Sequence, residues 1–194
     1  MLETPRRREI EDAASTLFRE RGYRATSVRD IATALAIRGP SLYAHVTSKE
    51  DVLWAIVDRA ATRFEQAADT AAASAPADAA RRLAALVHAH VAVIAADPGQ
   101  ASVFVAEWRH LSTDRRTAIL ARRDAYEERF RIVIRDGMAD GTFAMTDPAL
   151  AATFLLSALN GVATWYRPEG RLAPDRIADH FADLSVRSLM EAHR

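Results

Sequence analysis

The sequence predicts an all-α fold: a small amino-terminal head of three helices, joined through a fourth to a larger helical body. Three observations carry that prediction. Apolar residues recur at helical spacing in nearly every segment, beginning with Ile10, Ala13, Ala14, Leu17 and Phe18, and strand-like alternation is scarce. Caps and first-turn prolines punctuate the chain. The first three helical segments are short and closely spaced, whereas the later ones are long.

In chain order, Thr4-Pro5 opens the first helix, and Ser27 with Asp30 forms a capping signal for the second. Gly39-Pro40 starts the third, where neither residue costs much in a first turn. Ser48 with Asp51 starts the fourth. Its Val52, Leu53 and Ile56 suit packing beneath the head, and its Phe64 continues into the body. The stretch SAPAD at 74–78 interrupts the pattern before the fifth helix, Asp97-Pro98 opens the sixth, and a seventh follows. Asp147-Pro148 and Ala173-Pro174 open the eighth and ninth. The resulting boundaries are roughly 6–21, 28–35, 39–45, 49–73, 77–96, 99–111, 114–137, 147–166 and 174–192, about nine helices in all. The expected division is a head over 1–48 and a body over 49–194.

Composition excludes several classes. With 194 residues and 49% hydrophobic content, the chain can bury a core without metals or disulfides. The absence of cysteine removes thiol catalysis and cysteine-based metal sites, and suits the reducing bacterial cytoplasm. No apolar run near eighteen residues and no signal peptide stand out, so no membrane partner is expected. The 26 basic and 26 acidic residues balance, which argues against general polyanion binding, although residues 1–49 hold nine basic groups against six acidic ones. An enzyme is disfavoured, because there is no Gly-rich phosphate loop after a strand and no Ser/His/Asp set brought together by spacing. Glu107-Trp108-Arg109-His110 matches a Glu-x-x-His metal spacing but lacks the second copy such sites need, and His88 and His90 fall on different helix faces. No catalytic residue, cofactor or metal is expected.

The segment VRDIATALAIRGPSLYAHV places two short amphipathic helices around Ala36-Ile37-Arg38, a helix-turn-helix whose second helix suits the major groove of DNA. Leu42 and Val46 can anchor that helix, while Ser41, Tyr43, His45 and Lys49 are donors for phosphates or base edges. Lys49 is the chain's only lysine.

The run from Arg8 to Ala60, with LFRERGYRATSVRDIATALAI and then SLYAHVTSKEDVL, resembles the DNA-binding domain of the TetR family of bacterial transcriptional repressors. The resemblance implies that Tyr43 and Lys49 hold phosphates, that His45 matches a motif position, and that Thr26 contacts the DNA backbone. Ala36 stands where that family's turn usually has glycine, and Val46 where phenylalanine is commoner. Sequence choice would fall to Arg38, Gly39, Pro40, Ser41 and Ala44, a thin code that leaves room for DNA shape and for Arg6 to Arg8 acting as a flexible arm. A palindromic double-stranded operator read by a homodimer follows.

In the body, Ser157, Asn160, Gly161 and Thr164 fall on one face of the eighth helix, and Phe154, Leu155, Ala158, Leu159, Val162, Trp165 and Tyr166 on the other. The ninth helix adds Ile177, Phe181, Leu184 and Leu189, and the resemblance implies a dimer through these two helices. Candidate effector contacts are Phe104, Trp108, Arg109, Arg122, Arg123, Tyr126, Phe130 and Trp165, an aromatic cavity with an arginine rim; the same spacing also suits a plain core with solvated arginines. WRHLSTDRR, ILARRDAYEERF and NGVATWYRPEG are similar to the branch of that family responding to acyl-CoA thioesters of lipid or aromatic-acid breakdown. The implied function is a ligand-released homodimeric repressor. The competing class is a helical small-molecule carrier or scaffold, which would lack salt-dependent binding to DNA.

Overall fold

The computed structural model describes residues 5–74 and 77–190, and among these it contains helices and turns without strands. The helices are α1 (Pro5–Arg21), α2 (Val28–Ala34), α3 (Gly39–Tyr43), α4 (Lys49–Ser74), α5 (Ala79–Ala96), α6 (Pro98–Ala106), α7 (Thr113–Ala139), α8 (Pro148–Trp165) and α9 (Pro174–Met190), with a 3-10 turn at Trp108–His110. The expected starting signal at Thr4 and the Ala75-Pro76 part of the expected break lie outside the described residues.

The caps act as their chemistry dictates. Ser27 Oγ accepts from Asp30 N–H, and the Asp30 carboxylate accepts from Ser27 N–H at 2.7 Å, a full capping box on α2. Ser48 Oγ accepts from Asp51 N–H, Asp78 from Arg81 N–H, and Asp147 from the amides of Ala149 and Leu150. Gly22, at φ 82, closes α1 by donating to Phe18 O. The sixth helix is shorter than expected, since α6 gives way at Glu107 to the 3-10 turn.

The chain forms two compact units. Of the described residues, the first takes those up to Ala61 together with Gly99–Ala121, and the second takes those from Thr62 to Pro98 and from Arg122 onward. Compactness thus does not divide the chain at 48/49, because α4 is one uninterrupted helix whose first half, with Val52, Leu53 and Ile56 fully buried, completes the core of Ile10, Phe18, Ile31 and Leu42. Within this unit the buried Glu11 carboxylate pairs with Arg7 at 3.2 Å and with Arg59, and Arg7 also reaches Asp51 and the His45 carbonyl, each at 3.4 Å. The expected arm is therefore helical: Arg6, Arg7 and Arg8 belong to α1, and Arg7 is spent on an internal network.

The second unit packs α5 against α8 and α9. Its core includes Phe64, Leu83, Val87, Ile94, Phe130, Ile134, Leu155 and Leu159. Gly137 lets α7 meet the following turn: a Cβ there would lie 2.2 Å from Phe143 Cδ2. By length and composition α5 and α8 are apolar enough over eighteen residues to cross a membrane, where no such run was expected; each also buries one face in the bundle. On α8 the buried stripe is Ala152, Leu155, Leu156, Leu159, Val162 and Ala163, whereas Phe154 is 65% and Trp165 47% exposed. Positions 154, 158, 161 and 165 recur every three or four residues, so Phe154, Ala158 and Trp165 share the outward face with Gly161 instead of the core face.

Candidate nucleic-acid interface

Helix α3 is five residues long and is held from below. Leu42 and Val46 are fully buried, and the turn before the helix is a Schellman motif, in which Ala36 N–H donates to Thr33 O and Ile37 N–H to Ala32 O, both at 3.0 Å. Ala36 occupies the left-handed position at φ 54. Alanine thus adopts the glycine conformation, and the turn keeps its shape at a cost in strain.

That anchoring turns one edge of the motif outward. Arg38, Pro40, Ser41, Tyr43 and Ala44 are exposed, Tyr43 at 57%, and Gly39 has open space around it. His45 is half-buried, with its carbonyl held by Arg7. Exposed guanidinium, hydroxyl and phenol groups on a rigid short helix can meet phosphate oxygens and base edges.

Thr26 and Lys49 sit differently. Thr26 is 1% exposed, and its hydroxyl donates to Gly22 O at 2.9 Å. Lys49 Nζ donates to Tyr23 O and Thr26 O, both at 2.8 Å, and lies 4.1 Å from the Tyr23 ring centroid. Burial lowers its pKa. Lys49 fastens the loop between α1 and α2 to the start of α4, with one ammonium hydrogen beyond those two bonds, and the Thr26 hydroxyl closes the loop onto the end of α1. Sequence reasoning missed Tyr23, whose ring meets the Lys49 ammonium and stacks with His110, and Arg7, whose helical partner Glu11 was visible at i,i+4 but whose contact with Asp51 spans 44 positions of the chain.

The eight candidate effector contacts are divided between the units. Phe104 and Trp108 are buried in the first, where the exposed Arg109 guanidinium lies 4.7 Å from the Trp108 ring. Arg122, Arg123, Tyr126, Phe130 and Trp165 fall in the second. Arg122 forms a fork with Glu65 at 2.7 and 2.6 Å and also donates to Thr62, so its charge is largely met by protein. Arg123 is half-buried, and Trp165 lies on the outer face of α8. Tyr126 and Phe130 are brought together, ring centroids 5.7 Å apart, with Phe64 and with His90, a residue the sequence reading had set aside. A histidine in an alanine-rich helix gives no sign of its neighbours. Glu107 and His110 pair with each other at 3.3 Å, and no group of three metal-ligating side chains occurs among the described residues.

Comparison with known proteins bears on this arrangement. The family model described as "Bacterial regulatory proteins, tetR family" matches residues 10–56, and that described as "Tetracyclin repressor-like, C-terminal domain" matches residues 76–189. The HTH-type transcriptional repressor KstR2 of Rhodococcus jostii is 32% identical over 194 residues, covering 97% of this chain and 93% of the relative. The solved structure of the regulator PfmR from Thermus thermophilus superposes with a TM-score of 0.83 at 33% identity, covering 94% of this chain and 99% of that one. The structure of AibR in complex with isovaleryl coenzyme A and operator DNA superposes with a TM-score of 0.81 at 26% identity, covering 95% and 98%.

Proposed function

From the premise that this chain belongs to the TetR family of bacterial regulatory proteins, as a DNA-binding transcriptional regulator and not an enzyme, we propose that it is a homodimeric repressor released from a palindromic operator by a small-molecule effector. The observation that carries the reading is α3, pinned by Leu42 and Val46 with Arg38, Ser41 and Tyr43 left outward. In this reading residues 1–48 bind DNA and the remainder senses and dimerises. Arg38, Gly39, Pro40, Ser41, Tyr43 and His45 meet the duplex, Lys49 gives its remaining hydrogen to a phosphate, and Thr26 acts through the loop it holds.

The second copy docks on the outward stripe of α8, with exposed Leu150, Phe154 and Trp165 around Gly161, and on Leu184 of α9, 63% exposed. Large apolar groups held in water beside an open glycine favour close helix contact. The proposed effector class is an acyl-CoA thioester, supported by the likeness to AibR, whose complex holds isovaleryl coenzyme A. Helices α4 and α7 each contribute residues to both compact units, and in this reading effector binding in the body acts on the head through them. A hundredfold preference of effector for the DNA-free state supplies about 2.7 kcal/mol, a sizeable part of the gap between specific and non-specific DNA binding. The regulator acts where the chromosome lies, in the bacterial cytoplasm.

A gel shift with the DNA flanking the protein's own coding region tests this. Tight binding that weakens steeply with salt is expected, with loss on adding isovaleryl-CoA, and Tyr43→Ala should weaken binding without lowering the melting temperature. Binding no stronger than to random DNA would overturn the repressor reading. Indifference to a thioester panel would overturn the effector class alone.

A further inference from the structure

His90, on α5, is 2% exposed and stands beside Phe64 of α4 and Tyr126 of α7, with ring centroids 4.7 and 5.8 Å away. Its Nδ1 lies 3.1 Å from the Tyr126 hydroxyl oxygen. Its Nε2 is buried and meets no protein hydrogen-bond partner among the described residues.

Either tautomer of a neutral imidazole fits this contact, and one of them leaves a hydrogen on Nε2. Burial pushes the Tyr126 phenol well above the usual tyrosine range, so it keeps its proton. In that tautomer the Tyr126 phenol donates to Nδ1, and the single hydrogen of the neutral imidazole sits on Nε2. Burial, with the nearby Arg123 charge, holds the ring neutral by lowering its pKa to about 3. A buried N–H without an acceptor weakens a fold, whereas an apolar ring of the same size in this aromatic setting would not. The group therefore has a cost that folding alone does not explain.

We propose that the Nε2–H of His90, oriented by Tyr126 beside Phe64, is the donor that takes a carbonyl oxygen of the body's effector. This rests on the reading that the body binds an effector, and it names the chemistry recognised there: an otherwise apolar molecule bearing a ketone, ester or thioester carbonyl. The positive charge of Arg123 beside the neutral ring favours the oxygen end of that dipole. A site built around one donor discriminates against a same-shaped molecule that lacks the acceptor.

The test uses the full-length protein labelled with nitrogen-15 at histidine, its His90 signal identified by its loss in His90→Phe. The probes are cyclohexanone and methylenecyclohexane, alike in shape and different in the one oxygen. The free protein should show the Nε2–H tautomer. Cyclohexanone should shift that proton downfield to saturation and bind at least about tenfold tighter than the hydrocarbon, and His90→Phe should bring the two within about twofold. Tyr126→Phe keeps the imidazole but frees its tautomer, and should reduce the preference about threefold or more; it serves if His90→Phe folds poorly. An Nδ1–H tautomer in the free protein, a resonance that answers both probes or neither, or a bound water on Nε2 that cyclohexanone fails to displace would each overturn the proposal. Neither probe contains coenzyme A, so failure of the thioester class in the gel shift leaves this outcome independent.

Discussion

Replacing Ala36 by glycine should make the protein more stable, and the size of the gain follows from the turn between α2 and α3. At φ 54 the Ala36 Cβ crowds the backbone, a strain of about 1–2 kcal/mol for an L residue in the left-handed region. Glycine removes that strain but gives up roughly 0.5–1 kcal/mol through its greater freedom in the unfolded chain. Both hydrogen bonds of the Schellman motif are made by backbone atoms, Ala36 N–H to Thr33 O and Ile37 N–H to Ala32 O, and survive the change. The net expectation is a gain of about 0.5–1 kcal/mol, which for a chain of this size raises the melting temperature by about 1–4 °C. Urea unfolding followed by circular dichroism reads the gain, and operator titration should show affinity unchanged within about twofold. Ala36→Val should move the other way by about 1 kcal/mol or more, since a β-branched residue fits this region worse. A destabilised Ala36→Gly, or an Ala36→Val indistinguishable from wild type, would mean that the turn is not left-handed and that the tilt of α3 is set by something else.

Glu11→Ala strips the shared partner from Arg7 and Arg59 in a buried setting and should cost about 3–5 kcal/mol in urea unfolding. Gly137→Ala should cost about 1–3 kcal/mol through the clash with Phe143, and Phe143→Leu in the same chain should recover part of it. Acid should reveal His90: its folded pKa is depressed from 6.5 to about 3, so below 6.5 the unfolded chain binds the extra proton. Stability on this account is full above pH 6.5 and falls by about 1.4 kcal/mol per pH unit as the pH drops towards 3. The difference between wild type and His90→Phe in urea midpoints across that window measures it, and a pH-independent difference would refute a buried neutral ring.

What the sequence determined by itself was local. Helix starts at Ser27, Ser48, Asp147 and Pro174 were legible because a cap or a first-turn proline is satisfied by atoms within three residues, and α3 was legible because Leu42 and Val46 face one way whatever lies beneath them. The family resemblance was legible in the head for the same reason: its motif is a continuous run. Tertiary structure decided what depends on partners distant in the chain. Two of the three ammonium hydrogens of Lys49 go to the carbonyls of Tyr23 and Thr26, and Glu65 meets the Arg122 guanidinium, partners that no local pattern announces. Trp165 and Phe154 looked inward on a helical wheel, but which stripe of α8 faces the core is fixed by α5 and α9, not by α8. His90 carried no local mark at all. Its significance arises from a phenol 36 residues away and from the low dielectric around both, because a hydrogen bond in an apolar interior is assigned by the groups that fold around it.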